Sequence, residues 1–259
     1  MSALPHDSSA AVNFSDLLEQ ALHVWDQRQV DDGVFALALP LQGLDPLLQL
    51  SDLEDADPFR FLWDGAPGLS FAAAGRCHHL ELSGPKRFEL AQRFSDITLG
   101  RILDGSPEAP AQARSRILLA FSFFESTGEL QPKGSMPSVQ AVLPRWQLSR
   151  HGRQGWLRLH GVAQQTSDVR ALTESLWLMA EKLQSWRSWP GQASGTVSGR
   201  ITPGDWERRY TTALERGLEL VNSGELHKLV LAVRQSVSLT SPLDPLLLLK
   251  RLRYQQAGS

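Results

Sequence analysis

Apolar residues recur along this chain with two periods, and the switches between them lay out its elements. Phe14, Leu17, Leu18, Ala21, Leu22 and Trp25 fall at steps of three and four, which predicts a helix capped by Ser15 and stopped near Asp31-Asp32-Gly33, behind a loose leader over residues 1–12. Residues 34–41 predict a strand, and Asp45-Pro46-Leu47-Leu48 a short helical turn before a solvated acidic loop over 52–57. Three short strands are predicted at 59–63, 70–74 and 78–82, with 64–68 and Gly75-Arg76 as the turns of a meander. A helix over 87–103, with Phe88, Ala91, Phe94 and Ile97 on its apolar face, leads into a loop over 104–113. A strand at 117–124 and a hairpin of 139–148 with 156–162 follow.

Val169, Leu172, Leu176, Met179, Leu183 and Trp186 predict an amphipathic helix, capped by Ser167 or Asp168 and ended by Pro190-Gly191. Residues 191–200 are rich in Gly, Ser and Thr and read as a linker, dividing the chain into regions 1–198 and 199–259. In the second region Thr202, Pro203 and Asp205 open a helix whose stripe is Trp206, Tyr210, Ala213, Leu214, Gly217, Leu218 and Val221, and Asn222-Ser223-Gly224 ends it. That helix delivers the chain into residues 224–234, Gly-Glu-Leu-His-Lys-Leu-Val-Leu-Ala-Val-Arg. The apolar run over 229–233 predicts a strand buried on both faces. Alternation places Lys228, Val230, Ala232 and Arg234 on one face of it. Residues 237–239 extend the pattern, and Pro245 opens a last helix through Tyr254. Many antiparallel strand signals with helices between groups of them argue an α+β fold.

Composition narrows the function classes. The 259 residues carry 42% hydrophobic side chains, enough for a substantial core, and a formal net charge of -2, which gives no electrostatic case for nucleic acid or an anionic membrane as partner. Cys77 is the one cysteine, so neither an intrachain disulfide nor a cysteine zinc cluster can form within the chain. The acidic start of the sequence is unlike a signal or transit peptide, and no apolar run approaches the ~20 residues of a membrane span, so a cytoplasmic location is expected. Ser83-Gly84-Pro85-Lys86 reads as a turn rather than a Ser-x-x-Lys nucleophile pair. His78 and His79 are adjacent on a predicted strand and point to opposite faces, so they cannot jointly hold a metal. The eight tryptophans fall mostly on helical stripes and hairpin positions and read as packing.

Lys228 carries the candidate chemistry. One reading is a strand-end lysine whose stem snorkels to solvent. The other is a general base, because a lysine, starting near ~10.4, works as a base when burial or a nearby cation lowers its pKa.

The setting of Lys228 separates the two. Residues 226–232, Leu-His-Lys-Leu-Val-Leu-Ala, resemble the Lys-Val-Val-Leu-Ala segment of the isochorismate synthase branch of the chorismate-utilising enzymes. Phe61-Leu62-Trp63-Asp64, Phe71-Ala72-Ala73-Ala74-Gly75, Gly84-Pro85-Lys86-Arg87-Phe88, Ala120-Phe121-Ser122-Phe123 and Leu143-Pro144-Arg145-Trp146 are similar to further segments of the family. The resemblance implies an antiparallel β-sheet sandwich with helices outside, incomplete at the C-terminus. Residues 1–198 would be the N-terminal region of that fold and 199–259 the start of its chorismate-binding region. Within the superfamily, enzymes using ammonia or an enzyme lysine as nucleophile have Gln where Lys228 stands. Lys228 therefore implies isochorismate synthase chemistry: a neutral lysine deprotonates water attacking C2 of chorismate, while an acid assists loss of the C4 hydroxyl. In the family the acid is a glutamate, and further glutamates bind Mg²⁺, which bridges to a substrate carboxylate. Those glutamates belong to later segments than the 259 residues reach, so the resemblance implies that activity needs C-terminal sequence absent here. Val233 stands where the family has Arg, and Ser106-Pro107-Glu108 echoes a late family motif from an early loop, so no role passes to it. The resemblance also implies a small-molecule partner, chorismate, and service to menaquinone, phylloquinone or siderophore synthesis. A salicylate synthase-type enzyme, another chorismate-utilising enzyme, or a catalytically incomplete binding or structural derivative are the alternatives.

Overall fold

In the computed structural model, which describes residues 13–28, 33–53, 55–66, 68–125, 137–185, 199–201, 206–232 and 237–255, Asn13 opens the first helix, α1 (Phe14–Asp26). Its side-chain oxygen accepts from the Asp16 amide at 2.9 Å, which displaces Ser15 from the expected cap role and places it inside the first turn. Leu17, Ala21 and Trp25 form the buried stripe of α1. The chain divides into two compact units, Met1–Trp189 and Pro190–Ser259.

The first unit is built on one seven-stranded sheet. Its strands are β1 (Gly33–Gln42), β2 (Arg60–Ala66), β3 (Leu69–Leu82), β4 (Ile102–Asp104), β5 (Leu118–Phe121), β6 (Val139–His151) and β7 (Gln154–Ala163). The order is β2-β3-β6-β7-β1-β4, with β5 also paired to β6; every pairing is antiparallel except β1 with β4. The expected 139–148 and 156–162 hairpin is β6–β7, turned at Gly152, whose φ of 60 fits the tight corner.

Two expectations for this unit are corrected. Residues 70–74 and 78–82 form one continuous strand, β3, because Gly75 marks a bulge rather than a turn. Gly75 has φ 67 and its register to β6 shifts between Arg76 and His78. The Asp55 carboxyl carbon lies 2.4 Å from where a Cβ on Gly75 would stand, so only glycine admits that close packing. The helix expected over 87–103 is α3 (Arg87–Gly100), and its last residues leave to pair as β4 beside β1. Arg87, Ala91 and Thr98 are its buried residues, whereas Phe88 and Ile97 of the expected apolar face are exposed. Phe88 stacks at 4.8 Å on Phe121 of β5.

Register and alternation sort the central sheet into two unlike faces. Phe35, Leu37 and Leu39 of β1 lie opposite Gly161, Leu159 and Leu157 of β7 and form an apolar face. Helix α4 (Thr166–Gln184) covers it with Val169, Leu172, Leu176, Ala180 and Leu183 and packs beside α1. Leu172 sits so close above Gly161 that an added Cβ would approach it to 2.4 Å. Asp168, not a cap itself, accepts from the Gln164 and Gln165 amides ahead of α4, and these bonds hold its carboxyl below the usual range. Between β1 and β2, α2 (Pro46–Gln49) is capped by the Asp45 carboxylate.

The other face presents Ala36 and Ala38 beside His160 and Arg158, and Gln147 beside Arg158. The connection from β4 to β5, through a turn at Ala111–Ala113, lies over it, with Ala109 and Ala113 packed against Ala38 and Trp156.

The second unit contains β8 (Gly199–Ile201) paired antiparallel with β9 (Val237–Leu239), α5 (Trp206–Asn222) and α6 (Pro245–Gln255). The Asp244 carboxylate accepts from the Leu246 and Leu247 amides, and Pro245 occupies the first turn of α6, as the sequence predicts. The fold class is α+β. The leader, most of the linker and the Thr202 to Asp205 helix start lie outside the described residues.

Candidate functional site

Helix α5 ends where Gly224, at φ 79, turns the chain into the left-handed region. The Ser223 amide still donates to Glu219, and the Leu226 amide reaches back 3.0 Å to the Leu220 carbonyl. Beyond it the expected strand is not formed: residues 226–232 run without helix or strand. An apolar strand buried on both faces needs a neighbour on each edge, and among the described residues none pairs with this segment. Lys228 is exposed, as are Leu229 and Val230. Leu229 nevertheless meets α5 at Gly217, where an added Cβ would lie 2.4 Å from its Cδ2, so the glycine admits the leucine against the helix. The stripe expected to bury α5 is mostly open: Tyr210, Leu214 and Leu218 are exposed and Gly217 is buried. Arg234 lies outside the described residues.

A second polar cluster lies in the first unit, and no sequence motif singled it out. Arg158 is fully buried on β7; its Nε donates to the Ala113 carbonyl at 2.5 Å and its Nη1 to Asp104 at 3.1 Å and to the Ser115 hydroxyl at 3.3 Å. His160, two residues on and on the same face, is also fully buried. The Pro144 carbonyl, 2.8 Å from Nδ1, can only accept, so Nδ1 carries the proton and Nε2 accepts from the Ser115 hydroxyl at 2.8 Å. Gln147 donates to the Arg114 carbonyl at 2.8 Å. The signal available in the sequence is the alternation over 156–162, where Arg158 and His160 interleave with Leu157 and Leu159. All but one of these bonds tie residues 104–116 down onto the sheet, and the bond from His160 to Pro144 links β7 to β6, which is a structural task rather than a proton-transfer one.

Burial first, and the neighbouring Arg158 charge second, push His160 down from 6.5 to about 3, against the opposing bond to Pro144. Between those values the unfolded chain binds a proton at His160 that the folded chain refuses, so stability falls as pH falls through that window. The contribution is complete above pH 6.5 and is lost progressively toward about pH 3. We expect urea unfolding between about pH 7 and about pH 5 to show this slope, up to about 1.4 kcal/mol per pH unit from His160, and His160→Gln to flatten it.

Cys77 offers no alternative nucleophile. Burial pushes its thiol up to about 11, outweighing the lowering charge of Arg145, so the thiolate is scarce at neutral pH. No group of three or more His, Cys, Asp or Glu side chains among the described residues is placed to hold a metal ion. Among those residues no helix is long and apolar enough to cross a membrane.

These features define an α+β protein with a lysine-bearing segment at the end of α5 and a structurally locked polar face in its other unit. The chain belongs to the chorismate binding enzyme family, whose model, described as "Chorismate binding enzyme", matches residues 16–259. Among solved structures it is similar to MenF, the menaquinone-specific isochorismate synthase from Escherichia coli, at 17% identity and a TM-score of 0.45, over 79% of this chain and 42% of that one. The chain thus spans less than half the length of that relative. No curated protein sequence matches it.

Proposed function

We propose that the protein is an isomerase that converts chorismate to isochorismate, with Lys228 as the base that activates water. The observation that supports this reading is family membership over residues 16–259, a span that includes Lys228 in its Leu-His-Lys-Leu-Val-Leu-Ala setting. The neutral amine removes a proton from water as the water oxygen bonds to C2 of the substrate. The ring double bonds shift, and the C4 hydroxyl leaves with a proton as water, so one water is consumed and one released. A base contributes only while neutral and aimed, which requires a surface that covers the exposed 226–232 segment. The activity is proposed for the whole protein. The resemblance also implies magnesium, but the described residues provide no ligand cluster that fits it.

The exposure of Lys228 favours a second reading, a protein that binds chorismate without turning it over. Product chromatography after incubation with chorismate and Mg²⁺ separates the two. Isochorismate is the expected product. Salicylate with pyruvate would move the protein to salicylate synthase-type chemistry, and chorismate recovered intact from a protein that binds it would establish the second reading.

A further inference from the structure

We propose that the cleft between α3 and the β1–β7 pair binds a small apolar carboxylate, at a site in the first unit that does not depend on the role of Lys228. The cleft holds about 430 Å³, within the ~300–1,000 Å³ range of small-molecule pockets. Val34 of β1 and Val162 of β7 are register partners and form its floor. Phe94 and Ile97 of α3 form a wall, and Arg101 at the end of α3 and His78 of β3 add polar groups. Phe94, Ile97 and Arg101 are spaced by three and four residues, so one stripe of the helix supplies both the apolar wall and the cation. Backbone packs closely at that end, where a Cβ on Gly33 would lie 2.8 Å from the Arg101 carbonyl oxygen.

Charge decides the class of ligand. No described residue lining the cleft is acidic, and the basic residue Arg101 is among those that line it. The carbonyl end of α3 opposes it with about half an elementary negative charge. The balance is positive but small, which suits a single carboxylate on an apolar body better than a phosphate dianion. A guanidinium fork also matches carboxylate geometry in two parallel bonds. Ile97 and Val162, 45% and 53% exposed, leave the apolar surface open to an incoming ring.

Isothermal titration of the whole chain with cinnamate, and with its neutral analogue cinnamamide, tests this. Saturable cinnamate binding is expected, weakened at least about ten-fold in Arg101→Gln, while cinnamamide changes less than about two-fold between the two proteins. Ile97→Trp, which fills the cleft from an exposed position, is expected to weaken both ligands by about ten-fold or more. Lys228→Ala is expected to leave cinnamate binding unchanged, which separates this site from the proposed catalytic one. Absence of saturable cinnamate binding, equal affinity in wild type and Arg101→Gln, or a loss confined to Lys228→Ala overturns the assignment.

Discussion

Replacing Arg158 by alanine is expected to destabilise the first unit by about 3–5 kcal/mol, the range for breaking a buried, paired charge. The side chain is 1% exposed and donates to the Asp104 carboxylate at the end of β4 and to a backbone carbonyl and a hydroxyl in the connection from β4 to β5. Its removal leaves the Ala113 carbonyl and the Ser115 hydroxyl short of a donor and opens a cavity beneath Ala109 and Ala113. Asp104 is 34% exposed on its side chain, so water reaches it and places the loss toward the lower end. Arg158→Met retains most of the stem volume and is expected to cost less than the alanine variant. Urea unfolding followed by near-ultraviolet circular dichroism measures both. A loss under about 1 kcal/mol for Arg158→Ala would show that the network does not hold the loop.

Lys228→Ala is expected to act in the opposite way, abolishing turnover while leaving stability nearly unchanged. General base catalysis supplies about 10²–10⁴-fold in rate, and loss of the base removes that factor. The residue is exposed and lies in a segment without helix or strand, so truncating it changes unfolding by no more than about 0.5 kcal/mol. A joint loss of activity and of folded protein would point to a structural lysine. Intact activity would return the residue to the role of a solvent-facing side chain.

The contrast between these two residues shows what local pattern carries. The β6–β7 hairpin and α4 are legible because their periods are long and bounded by turn or cap chemistry. The strand expected around Lys228 rests on an apolar run alone, and such a run does not reveal whether a partner strand stands beside it. Arg158 and His160 pose the converse case. Their alternation with leucines is visible in the sequence, but the loop that seals them in arrives from residues 104–116, about forty or more positions earlier. Gly75 reads as a turn because glycine punctuates both turns and bulges, and the pairing of β3 with β6 on both sides of it distinguishes them. Ser15 and Asn13 are both competent caps, and the Asp16 amide selects Asn13. Lys228 is singled out in the sequence only by its resemblance to a family segment, and no local pattern identifies an acid or a covering surface for it.

Lys228 is proposed to direct water, rather than another nucleophile, onto chorismate. Turnover in water enriched with heavy oxygen, followed by mass spectrometry of the product, reads this directly. Isochorismate carrying solvent oxygen at C2 is expected from the full-length protein with Lys228 intact, and none above background from Lys228→Ala. Undiminished labelled isochorismate from the alanine variant, or an unlabelled product from the intact protein, would contradict it.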